Sequence, residues 1–127
     1  MKPSLLLTIS AIYLVLVGLG MLLVPQALIF SGSAGTPAGV WWALRSYGGV
    51  MLGIAVLNWM ARNAEASKAR DAIFLGITVA YALTAIVFVL DAVSGGAVSV
   101  WAFAIISALF AVAFFVVGRA NMSTGAS

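Results

Sequence analysis

A chain of 127 residues that is 65% hydrophobic and 7% charged falls outside the range of soluble domains, which are about half apolar and a quarter charged. With neither Cys nor His, disulfides, thiol chemistry, His-ligated haem and nearly every transition-metal site are excluded together, and no cofactor is expected. The formal charge of +3 rests on basic residues too scattered to track a phosphate backbone, so the expected partner is a lipid bilayer and not a nucleic acid.

A membrane-crossing helix needs ~20 mostly apolar residues, and four such segments account for almost the whole length. The first span is predicted over Ser4 to Val24, stopped by Pro25, which disfavours helical geometry in the residue before it. Lys2 followed by an apolar run resembles a secretory signal. The run is too long for one, however, and Val24-Pro25-Gln26-Ala27 offers no A-x-A cleavage site, so a retained helix is expected.

Gln26 to Gly35 reads as an uncharged loop. Thr36-Pro37 then pairs a capping hydroxyl with proline at the first helical position, so the second span is predicted over 37–62. It would be ~39 Å long at 1.5 Å per residue, with Trp41 and Trp42 near one interface and Trp59 near the other. The stretch from Asn63 to Asp71 is the only charged loop. The third span is expected over 72–90, ending at Asp91; Ser94-Gly95-Gly96 turns the chain, and the fourth span covers 97–118 before a polar tail. The fold class is therefore an all-α antiparallel four-helix transmembrane bundle in one domain over 1–127.

Lys2, Arg62, Lys68, Arg70 and Arg119 all fall on one side of this topology, and the two loops on the other side carry no Lys or Arg. The positive-inside rule places both termini in the cytoplasm.

Lipid tails are as apolar as Leu, so helices in a bilayer associate through close packing of small residues and through polar contacts. Three ladders stand out. Gly49 and Gly53 form a GxxxG in the second span; Ala72, Gly76, Ala80 and Thr84 step by four along the third; Ala97, Ala104, Ala111 and Gly118 step by seven along the fourth. Folding the chain back at the charged loop brings Gly49 opposite Thr84 and Gly53 opposite Ala80, so the second and third spans are expected to pack through these faces.

Arg45 is the one charge clearly inside a span. It lies ~6 Å inside the Trp41/Trp42 level, where a helical side chain tilting toward its own N-terminus can reach the outer headgroups. At 100° per residue it shares a face with Gly49 and Gly53, and Asp91 reaches the same end of the third span, so an Arg45–Asp91 pair is expected. Arg45, Tyr47 and the loop Ser31 to Thr36 are the alternative: an outer vestibule for an anion or lipid headgroup. Tyr13, Tyr81 and Ser107 fall at similar depth and either line a small pocket or bond a neighbouring helix.

No acid or His sits at mid-membrane to relay protons, unlike the small multidrug transporters, and the filter motifs of the small fluoride channels are missing. There is no pairing of nucleophile and base and no paired carboxylates, so no enzymatic activity is expected.

The segment LRSYGGVMLGIAVLNWMARN, Leu44 to Asn63, followed by a charged turn and ARDAIFLG, resembles small four-helix bacterial inner-membrane proteins of the DoxX-like type. The shared features are Arg45, the pair Gly48/Gly49, and Trp59-Met60-Ala61-Arg62. The resemblance covers about half the chain; it implies a four-helix inner-membrane bundle and assigns no reaction. The expected function is that of a non-enzymatic accessory, assembly or scaffold subunit packing against itself or a larger membrane complex. The alternative is a small transporter, channel, or lipid- or quinone-binding protein. A membrane oxidoreductase stands third, because His and Cys are lacking.

Overall fold

The computed structural model describes residues 1–25, 38–96 and 98–122. Among them are four helices: α1 (Pro3–Leu23), α2 (Ala38–Ala61), α3 (Lys68–Val93) and α4 (Ser99–Ala120). All four are long and apolar enough to cross a membrane, making this an all-α, multi-pass membrane protein. The Ser31–Thr36 vestibule, the Thr36-Pro37 helix start, Ala97 and the tail beyond Met122 lie outside the described residues.

Local chemistry sets the helix ends. Pro3 occupies the first turn of α1, where its missing N–H costs nothing. α1 closes at Val24, which leaves helical geometry while its N–H still donates to the Gly20 carbonyl at 2.8 Å. α3 starts four residues earlier than its hydropathy suggests, because the Ser67 hydroxyl caps it by accepting from the Arg70 N–H. Lys68, Arg70 and Asp71 are therefore in its first turn and not in a loop.

α3 also runs past Asp91 to Val93. Gly95 there adopts φ +93°, and the Gly96 and Gly95 N–H groups return to the carbonyls of Asp91 (2.9 Å) and Ala92 (3.4 Å). This is a Schellman ending, which glycine enters without a Cβ penalty.

The helices pack chiefly as two hairpins, α1 with α2 and α3 with α4; α1 and α4 touch lightly, and α2 and α3 barely meet. In the first hairpin Gly18 and Gly48 let the backbones approach. A Cβ on Gly48 would lie 2.7 Å from the Gly18 carbonyl oxygen and 2.7 Å from the Leu22 nitrogen. In the second hairpin rings set the spacing. Phe74 meets Phe114 at 5.3 Å and Phe88 meets Phe103 at 5.7 Å between centroids.

Tyr81 stacks on Phe110 at 4.9 Å, and Phe110 meets Tyr13 of α1 at 5.2 Å, joining the two hairpins through aromatic contact. Leu7, Met51, Ala55, Ile77 and Phe114 complete the shared core.

The expected packing of α2 on α3 is thus corrected. Gly49, Gly53, Gly76 and Ala80 are exposed, and an added Cβ on any of these three glycines would meet nothing within 4 Å. α3 turns Phe74, Ile77, Tyr81 and Ala85 inward instead, and these rings bury more contact than the small ladder can. Thr84 is half-buried. The ladder on α4 does face inward: Ala104 is buried, Ala111 packs on the core, and Gly118 sits against the Phe74 ring.

Candidate functional site

Among the described residues three places concentrate polar chemistry: the first turns of α2 around Arg45, a buried hydrogen-bonded cluster, and the end where α1 starts and α4 stops.

Near the start of α2, the Arg45 guanidinium lies over the Trp42 ring at 5.3 Å from its centroid. One turn of helix separates the two residues, and the side chain tilts back toward the N-terminus of α2, so the indole face is the nearest electron-rich surface. Arg45 and Asp91 form no ion pair. Because α2 and α3 scarcely touch, the two residues do not share an interface, and the Asp91 carboxylate lies over its own Schellman turn. A Cβ on Gly96 would come 2.8 Å from Asp91 Oδ2. The structure therefore separates two of the three residues that the sequence suggested as one binding cluster.

Tyr47 points the other way from Arg45, half-buried against the core. With Met21, Leu44, Thr84, Val87 and Phe88 it borders a cleft of about 320 Å³, open where α2 and α3 were expected to close on each other.

The buried cluster is formed by Ser10 on α1, Asn58 on α2 and Tyr81 on α3. Asn58 Nδ2 donates to Ser10 Oγ at 2.8 Å, and Ser10 Oγ shares a 2.8 Å hydrogen bond with the Tyr81 hydroxyl. Ser10 and Asn58 are fully buried, and Asn58 Oδ1 has no partner. With a hydroxyl, an amide and a phenol and no strong acid or base, the cluster is built to fix helix register: each helix holds a polar group that lipid cannot satisfy.

Of the two expectations for Tyr81, lining a pocket with Tyr13 and Ser107 or bonding a neighbouring helix, the hydroxyl does the second, and its partner is Ser10 of α1. The available signal was Asn58, an amide in an apolar run whose two polar ends both demand partners. Two threonine hydroxyls satisfy themselves locally, Thr8 on the Ser4 carbonyl and Thr78 on the Phe74 carbonyl.

At the opposite end, the start of α1, the end of α2 and the start of α3 surround a cleft lined by Lys2, Arg62 and Arg70. Arg70 also ties α3 to the end of α4, its Nη2 donating to the Asn121 carbonyl at 2.6 Å.

Compared with protein families, curated proteins and solved structures, the chain matches none.

Proposed function

We propose that this protein is a non-enzymatic accessory or assembly subunit of a bacterial inner membrane, with both termini cytoplasmic, and that the outward face of α2 docks another transmembrane helix. One observation carries the reading: Gly49 and Gly53 are bare on the outer surface of α2, with nothing of their own chain within 4 Å of an added Cβ.

Ser46 continues the same small-residue face and satisfies its hydroxyl on the Trp42 carbonyl at 3.0 Å, so a partner helix meets no unmet polar group there. A GxxxG face exposed to lipid gains packing when a second helix covers it. The same glycines weaken an isolated helix by roughly 0.5–1 kcal/mol each relative to Ala. The occupant is a second copy or a helix of a larger complex.

The test is particle mass in mild detergent. The unmodified protein is expected to run as an oligomer or with a co-purifying protein, and Gly49→Val with Gly53→Val is expected to release a folded monomer. A strictly monomeric unmodified particle with nothing co-purifying would contradict the reading.

The cleft beside Tyr47 favours a second reading, a lipid- or quinone-binding role, since it opens between α2 and α3 toward the bilayer and is almost wholly apolar. Native mass spectrometry of the purified protein would show a bound hydrophobic small molecule if this reading holds.

A further inference from the structure

The cleft at the termini has an unusual charge balance. It measures about 320 Å³ and is lined by Lys2, Arg62 and Arg70, with Leu7 among its walls and no acid among its lining residues. A positive-inside bias explains cations at this end of the bundle but not their convergence: Lys68 and Arg119 are at the same end and do not line the cleft.

The two guanidinium groups are held in place. Arg70 donates to the Asn121 carbonyl at 2.6 Å and to the Ala64 carbonyl at 3.4 Å. Arg62 donates to the Trp59 carbonyl, and its guanidinium lies 3.9 Å from the centroid of the Trp59 ring. Carbonyls and ring faces position a guanidinium without neutralising it, and each keeps further N–H donors of its five for another acceptor. The N-terminus of α1, with Lys2 at its N-cap and no side-chain capping bond, adds the positive end of a helix dipole.

Trp59 does not line this cleft, but its ring carries the Arg62 guanidinium that does. It lines an apolar groove of about 400 Å³ along the outer surface of α1 and α2, together with Ile12, Val15, Leu16 and Val56. The cationic cleft and the apolar groove are therefore linked through the contact between Arg62 and Trp59.

We propose that the two together bind one anionic phospholipid, its headgroup phosphate among Lys2, Arg62 and Arg70 and one acyl chain along the groove past Trp59. The anion relieves the mutual repulsion of three gathered cations, and the groove supplies affinity that a free phosphate cannot use.

The experiment is native mass spectrometry of the full chain in nonionic detergent. Phosphatidylglycerol and phosphatidylcholine of identical acyl chains are offered together, with inorganic phosphate as competitor. At about fivefold per cation near a membrane surface, three cations predict a preference for phosphatidylglycerol of roughly 100-fold, falling to roughly fivefold in Lys2→Gln with Arg62→Gln. Val56→Trp, which fills the groove from its exposed wall, is expected to weaken retention of both lipids.

A preference below about tenfold in the unmodified protein overturns the proposal whatever the variants do. So does a preference that survives loss of Lys2 and Arg62 in a variant of unchanged helix content. Displacement of phosphatidylglycerol by millimolar inorganic phosphate overturns it as well, since the site would then be one for free phosphate.

Discussion

The two hairpins solve the same packing problem with opposite materials. α1 and α2 approach through glycine, Gly18 against Gly48, with backbone atoms of one helix where a side chain of the other would begin. α3 and α4 are held apart by rings, with Phe74 on Phe114 and Phe88 on Phe103. In a bilayer no hydrophobic force distinguishes a helix from lipid, so contact area and polar bonding decide. Glycine obtains that area by proximity and phenylalanine by reach. The same rule separates neighbours on one helix: Gly48 is buried against α1 while Gly49, one residue on, faces outward.

Substitutions in the two hairpins test the contrast between glycine and ring packing, beginning with the most damaging. Gly48→Leu should be the most damaging, at roughly 3 kcal/mol or more, because the obstructing atoms are backbone and cannot rotate aside. Loss of resistance to denaturing detergent, with helix content followed by circular dichroism, measures it.

Phe114→Ala removes a fully buried ring that touches Phe74, Tyr81 and Phe110. A cost of about 3 kcal/mol is expected. By the same assay it should loosen α3 from α4 while leaving a crosslink between α1 and α2 intact.

Ser10→Ala tests the polar link between the hairpins, since it removes both hydrogen bonds of the cluster and strands the Asn58 amide and the Tyr81 hydroxyl. About 1–2 kcal/mol should be lost. Asn58→Leu should cost less, within about 1 kcal/mol, because it also removes the unpaired Oδ1 and leaves the Ser10–Tyr81 bond in place. A larger loss from Asn58→Leu than from Ser10→Ala would show that the amide, not the hydroxyl, anchors the cluster.

The helices were legible in the sequence because hydrophobic length is a one-dimensional signal. All four were placed, and the largest boundary error, at the start of α3, arose because the Ser67 cap holds three charged residues in helix. The interfaces were less legible. Three of the four helices carry a small-residue ladder, and spacing alone does not say which ladder meets protein. Folding back at the charged loop made α2 and α3 look like partners, yet the rings of α3 turn toward α4 and Tyr81 reaches across to Ser10. Arg45 and Asp91 followed the same error, since their pairing required that interface. What the sequence does carry is the demand of the buried Asn58 amide for partners, and Ser10 of α1 meets it at Nδ2.

α2 turns one face to α1 through Gly48 and another outward through Gly53, and the proposed docking of a partner helix rests on the second. A photo-crosslinking residue placed at position 53 tests it in intact membranes, with one at Val50, on the same outward side, as a comparison. The account predicts a discrete protein adduct from position 53, either a second copy or another membrane protein, formed in higher yield than from position 50. Adducts to lipid alone from position 53 would contradict it.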